Sequence, residues 1–255
     1  MQFSYKDIEI FVLVFARVST FIVLTPILGA KGVPAIAKIG LSFLLAILIF
    51  PLLPKVSVAA PTKVLPFFLM LGKEVVVGLL LGFITVFIFA SVQLAGELIG
   101  IQIGFGMANV VDPMSNAQIS LIGQFGYFIA AMIFITIDGH LFLISGIRQS
   151  FEIVPLFSAS FHSMLNQKII TMTGEMFIAA VKIGAPVITT LLLTSISMGI
   201  LARTVPQMNV FFVALPLKIG IGLFILALSL PIIGHFFNLV FSKFQGDFNL
   251  IMRLL

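Results

Sequence analysis

The residues able to do chemistry in this chain are few and far apart. Its three histidines, His140, His162 and His235, fall in separate segments, without the short spacings that gather metal ligands. There is no cysteine, which excludes thiolate catalysis, disulfide frameworks, Cys-ligated zinc and iron–sulfur clusters. The run Thr189-Thr-Leu-Leu-Leu-Thr-Ser-Ile-Ser197 offers hydroxyls, but a nucleophile needs an oriented base and no histidine shares its block. Hydroxyls in an apolar helix more simply bond their own backbone or a neighbouring helix. Asp138-Gly139-His140 sets a carboxylate near an imidazole, yet at the end of an apolar block a turn with polar tips accounts for it. Lys73, Glu74, Glu97 and Lys182 stand inside apolar runs, as the groups of an ion-coupled carrier would. The expectation is therefore no catalytic residue, no metal and no cofactor. A secondary transporter is the rival to a structural role, although no matching pair of interrupted segments marks the two halves.

The elements that must carry these residues are apolar. Of 255 residues 60% are apolar and 9% charged, with a mean hydropathy of +1.26, whereas a soluble domain carries about 25% charge. The net charge of +5 comes from 14 Lys and Arg scattered singly between apolar runs, a pattern of membrane topology and not of a nucleic-acid patch. The expected fold is all-α, a polytopic hydrophobic helical protein with apolar blocks at 8–28, 35–53, 64–103, 119–137, 169–202 and 210–241. Ser4 and Asp7 open the first block and Pro26 and Gly29 stop it; it reads as a retained helix and not as a cleaved signal peptide. Pro51 and Pro54 leave the second barely long enough to cross. The third, fifth and sixth are too long for one crossing and read as kinked or paired helices, broken by Lys73-Glu74, Glu97, Lys182 with Pro186, and Pro216, Lys218 and Pro231. Under six crossings Lys6, Lys55, Lys63, Lys73, Arg148, Lys168, Lys243 and Arg253 fall on one side, against Lys31, Lys38 and Arg203, so both termini are expected in the cytoplasm.

Polar groups interrupt these blocks: Arg17, Lys73, Glu74, Gln93, Glu97, Gln102, Lys182 and Lys218. An ionisable group at membrane depth costs at least about 2.5–3.5 kcal/mol unless it faces protein or water. Most of these residues are therefore expected at subunit contacts, with Glu97 and Gln102 tying helices together in preference to lining a conduit. Helix breakers, 21 Gly and 12 Pro, agree with that. Gly78 and Gly82, then Gly96, Gly100 and Gly104, recur every fourth residue and form a close-packing face, used either within the chain or between subunits. The segment from Gly104 to Gln118 holds no Lys or Arg and is too apolar for a loop in water. It reads either as a gating loop in a protein-lined space or as a re-entrant loop that packs without gating. Asp112-Pro113 favours a turn, and Met107 and Met114 are adaptable fillers.

Several stretches together resemble the FliR family of the bacterial flagellar type III secretion system. They are Gly72-Lys-Glu-Val-Val-Val-Gly-Leu-Leu-Leu-Gly-Phe83, Ala95-Gly-Glu-Leu-Ile-Gly-Ile-Gln-Ile-Gly104, Val111-Asp112-Pro113, Asp138-Gly-His140-Leu (relatives often have Asn first), Arg203-Thr-Val-Pro-Gln-Met-Asn-Val-Phe211 and Pro216-Leu-Lys-Ile219. Their order agrees over nearly the whole chain. The resemblance implies a single-copy export-gate component of the inner membrane and the flagellar basal body. Such a component assembles with FliP and FliQ subunits into a closed helical conduit for unfolded flagellar proteins, alongside FlhB and FlhA. It further implies a FliP-like part over about 1–182 and a FliQ-like helical hairpin over about 183–255. The loop matching Phe105 to Gln118 is a lumen plug: Phe105, Gly106, Met107, Asn109, Val110, Val111, Asp112, Pro113 and Met114 form the gating loop, and Gly104 and Gly106 are its hinges. Glu97, Gln102, Lys182, Arg203 and Lys218 become buried polar or interface residues of that gate, and the protein as a whole is expected to contact membrane lipid and no nucleic acid.

Overall fold

A computed structural model describes residues 5–53, 64–105, 120–207 and 209–255. Among them lie seven α-helices, one 3-10 turn and no strand. They are α1 (Tyr5–Leu24), α2 (Ala35–Ile49) with the 3-10 turn Phe50–Leu52, α3 (Val64–Ile103), α4 (Leu121–Thr136), α5 (Gly139–Ile153), α6 (Ser163–Thr204) and α7 (Val210–Leu254). The all-α expectation holds, but the long blocks are not pairs: α3, α6 and α7 run unbroken for 40, 42 and 45 residues. Lys, Glu and Gln are good helix formers, so polarity alone does not break a helix. Pro186, Pro216 and Pro231 lie within their helices, each removing one backbone donor among many. Residues 139–153 fall outside the apolar blocks yet form α5. Burial at Leu143, Gly146, Ile147, Ser150 and Phe151 shows the spacing of a one-sided helix.

Among the described residues four stretches are long and apolar enough to cross a membrane: Ala35–Leu52, Val64–Ile103, Ser163–Thr204 and Phe212–Leu254. A fifth arises if α4 and α5, bent by 70° at their junction, act as one span. The first expected block is not among them, because α1 carries Lys6, Asp7, Glu9 and Arg17 within 20 residues.

The chain divides into two compact units. The first comprises Met1–Phe87, Phe134–Met172 and Lys243–Leu255, and the second Ile88–Ile133 and Thr173–Ser242. In the first unit α1 and α3 lie side by side in the same direction, with Gly78 against Arg17 and Thr20 and Gly82 against Phe21 and Leu24. The α1 core of Leu13, Val14, Val18, Phe21 and Ile22 is sealed from solvent. Helix α2 folds back on α1 through Phe43 on Phe11 and Phe15, and Phe50 on Phe11. The turn between them stops α1 at Leu24: Ile27 adopts φ 71°, the Gly29 N–H donates to the Thr25 carbonyl at 2.8 Å, and a Cβ on Gly29 would strike the carbonyls of Ile22 and Val23. The end of α7 closes this unit, with the buried Phe248 ring meeting Phe21, Phe142 and Phe244 above Gly146.

In the second unit the remaining glycines of α3 act likewise. Gly96 faces Gly123 of α4, Gly100 faces Ser120, and Gly104 faces Leu215 of α7. All five spaced glycines of α3 thus meet neighbours within this chain. Helices α6 and α7 meet in this unit, with Gly222 beside Leu191, and α7 runs on past residue 241 to Leu254.

Candidate functional site

The principal buried polar cluster of the described residues is built on α1 and α3 of the first unit. Arg17 and Glu74 are 0% and 1% exposed. Arg17 Nε donates to Glu74 Oε2 at 2.6 Å, and Nη2 lies 2.5 Å from the same oxygen without the alignment of a second hydrogen bond. Arg17 Nη1 donates to the carbonyls of Ser150 and Val154, at 3.0 and 2.9 Å. These belong to the last turn and C-cap of α5, where carbonyls lack helical partners and a cation is favoured. The guanidinium also sits 4.3 Å from the centroid of the Phe151 ring. Glu74 Oε1 accepts the Phe157 N–H at 3.4 Å, beyond the end of α5.

The local sequence explains this placement. Successive residues of a helix point about 100° apart, so Lys73 and Glu74 leave α3 in different directions. Glu74 turns inward, while Lys73 is exposed and donates to the Ala159 carbonyl at 3.3 Å. Burial disfavours the charged guanidinium, and the charge and hydrogen bond of Glu74 oppose that cost. Arg17 and Glu74 had been expected at subunit contacts; the structure instead pairs them with each other. The signal was present in the sequence: Glu74, Gly78 and Gly82 follow one another every fourth residue, so the small positions mark the α1-facing side on which Glu74 lies. Chemically the pair is a closed structural clamp.

The residues singled out from sequence do not converge on it. Glu97 is half-buried on α3, accepts from Gln93 Nε2 at 3.1 Å and lies beside Gly123. Gln102 and Lys218 are half-buried; Lys182 and Arg203 are exposed. No hydrogen bond or ion pair joins these five to one another among the described residues. Lys182 is exposed on α6 beside Ile178 and Val181, each 55% exposed. Gly104 adopts φ 102° and ends α3: its N–H donates to the Ile101 carbonyl at 3.1 Å, and the Phe105 N–H reaches back to Gly100 at 3.0 Å. That is the paired hydrogen bonding of a glycine helix stop. Phe105 is half-buried. Gly106, Met107, Asn109, Val110, Val111, Asp112, Pro113 and Met114 lie outside the described residues, as does Ser4.

Two local readings are met. Asp138 adopts φ 56° at the α4–α5 junction, where its carbonyl accepts from Leu141 and Phe142 at 3.0 and 3.1 Å. The hydroxyls of Thr190, Thr194, Ser195 and Ser197 each donate to the carbonyl four residues earlier in α6.

Comparison with known proteins places these features in a family. The family model described as bacterial export proteins, family 1, matches residues 8–244. The flagellar biosynthetic protein FliR of Bacillus subtilis (strain 168) is 40% identical over 239 residues, covering 91% of this chain and 90% of the relative. The proteins of the same name from Aquifex aeolicus (strain VF5) and Escherichia coli (strain K12) are 33% and 31% identical over 242 and 241 residues. They cover 91% and 94% of this chain, and 92% and 90% of the relatives.

Proposed function

Since this chain belongs to the bacterial export proteins, family 1, we propose that it is the FliR-type subunit of the flagellar type III export gate. In that role it is a non-enzymatic structural and gating part of the channel, required for flagellum biosynthesis and for the exit of unfolded flagellar proteins. The observation that carries this reading is the family match over most of the chain. The surface is consistent with it. Exposed apolar residues such as Phe68, Met132, Ile170 and Phe224 cover α3, α4, α6 and α7, and the cation of Lys182 interrupts one such face. A lone cation facing hydrocarbon is costly, whereas a neighbouring subunit can cover it with a partner. FliP and FliQ are the proposed neighbours, with FlhB and FlhA in the same gate, in the bacterial cytoplasmic membrane at the flagellar basal body. The α6–α7 hairpin supports a FliQ-like part over about 183–255, beside a FliP-like part over about 1–182. Glu97, Gln102, Lys182, Arg203 and Lys218 are the proposed interface residues.

The plug is part of this proposal. Phe105 to Met114 would close the lumen, because apolar constrictions resist wetting. The helix stop at Gly104 supports the role of that glycine as a fixed pivot at the start of the loop. Two experiments test the reading. Purification through a tag on this chain should bring down a heterogeneous assembly of small hydrophobic subunits; a monomer or symmetric homodimer would favour an ion-coupled carrier instead. Deleting Met107 to Met114 should raise ion leakage through a gate that still assembles, and unchanged conductance in such a gate removes the plug.

A further inference from the structure

Residues 154–162 join α5 to α6 within the first unit and are fastened on two sides. Toward α3, the Phe157 N–H donates to Glu74 Oε1 at 3.4 Å and Lys73 Nζ donates to the Ala159 carbonyl at 3.3 Å. Toward α7, the Ser160 N–H donates to the Leu255 carbonyl. His162 Nδ1 lies 3.3 Å from the Leu254 carbonyl and 3.2 Å from that of Ser160, so Nδ1 is the donor. Val154, Leu156 and Ala159 are buried, while Pro155, Ser158, Ser160, Phe161 and His162 are exposed. Most of the linker is thus exposed, with hydrogen bonds that are exposed at His162 and part-buried toward α3, which sets it among the segments that open before a buried core does.

Its backbone is also strained. Phe157 adopts φ 76°, a left-handed conformation that a bulky side chain accepts only where its surroundings impose it. What the linker holds is the last turn of α7, where Ile251, Met252 and Leu255 are buried. The Arg17 clamp meets the linker at Val154, whose carbonyl accepts from Arg17 Nη1 as that of Ser150 does, and at Phe157, whose N–H donates to Glu74 Oε1; the Arg17–Glu74 bond itself lies between α1 and α3.

We propose that residues 155–162 form an openable latch. Closed, it fastens the last turn of α7 to Lys73 and Glu74 of α3; open, it frees that turn while the Arg17–Glu74 pair stays intact. The strain at Phe157 favours opening and the hydrogen bonds favour closure. The latch itself is independent of the export reading.

The test uses hydrogen exchange on the full chain in lipid nanodiscs. The Phe157 and Ser160 amides and those of α7's last turn should exchange together, at least about tenfold faster than Ile147 and Phe151 in α5. Lys73→Met should speed that group several-fold and leave α5 unchanged. Phe157→Asn, which tolerates the left-handed region more readily, should slow it. Rates that ignore both substitutions, or that rise in α5 equally, overturn the latch. A lock is available because the chain has no cysteine: the pair Ser160→Cys and Leu255→Cys, once oxidised, should suppress exchange in the last turn of α7 and restore it on reduction. In motile cells, with the cysteine-free chain treated identically, the locked form should lose motility that the reduced form supports. Equal motility in both forms removes the latch from the working cycle. Motility of the reduced form bears separately on the export reading.

Discussion

Removing either member of the buried Arg17–Glu74 pair should cost far more than removing both. Glu74→Leu leaves a guanidinium that is 0% exposed without its counter-charge; breaking a buried pair in this way costs about 3–5 kcal/mol. Arg17→Met strands the Glu74 carboxylate in the same way and takes the donor from the Val154 carbonyl, adding about 1–3 kcal/mol. The Ser150 carbonyl is spared, because it also accepts from the Val154 N–H at 2.9 Å. In the double variant both charges are gone. Relief of their desolvation, about 1–4 kcal/mol in comparable replacements, offsets the orphaned Val154 carbonyl, and the double should lie within about 2 kcal/mol of the parent. The coupling energy then reaches about 4 kcal/mol or more, roughly a thousandfold in the folding equilibrium. The assay is a double-mutant cycle by denaturant unfolding of the solubilised chain, with steady-state abundance in cells as a second readout. The exchanged pair Arg17→Glu with Glu74→Arg should not recover stability, because a carboxylate at 17 cannot donate to the end of α5. Additivity within about 0.5 kcal/mol, or full recovery by the exchanged pair, would refute the reasoning.

Other outcomes follow from packing. Gly78→Ala should destabilise by about 1–3 kcal/mol, because its Cβ would run into the Arg17 carbonyl and the Thr20 hydroxyl. Gly174→Ala, with nothing within 4 Å of the added carbon on α6, should be neutral or gain up to about 1 kcal/mol in the same unfolding assay. Phe248→Ala empties a site that is 0% exposed among Phe21, Phe142 and Phe244, and should cost about 3–5 kcal/mol. Ile27→Asn should raise the melting temperature, since a β-branched residue at φ 71° carries about 1–2 kcal/mol of strain that Asn relieves in part.

Local patterns were readable where the physics is local. Hydroxyl-to-carbonyl bonds along Thr189 to Ser197 span one helical turn, so composition alone indicates them. The start of α7 at Val210 follows from the turn-forming residues before it, and the bend at Asp138 from its polar tips. Helix α5 escaped a hydropathy count because Arg148, Gln149 and Glu152 lower its mean hydropathy; the spacing of Leu143, Ile147 and Phe151 carried the signal. The blocks read as broken at Lys73-Glu74 and at the prolines are continuous, because a charge does not interrupt backbone hydrogen bonding and a proline removes only one donor.

By itself, the sequence determined that this chain is helical, that its helices are too apolar for water, and that a small set of charges must find partners away from lipid. Only the tertiary structure decided which partners. Arg17 meets Glu74 and the end of α5, and the spaced glycines from Gly78 to Gly104 meet neighbours of the same chain, while Lys182 stands exposed beside apolar side chains. A residue's type sets the cost of burying it, but its partner lies 57 residues away for Arg17 and Glu74. That choice depends on which helix faces come together in the fold.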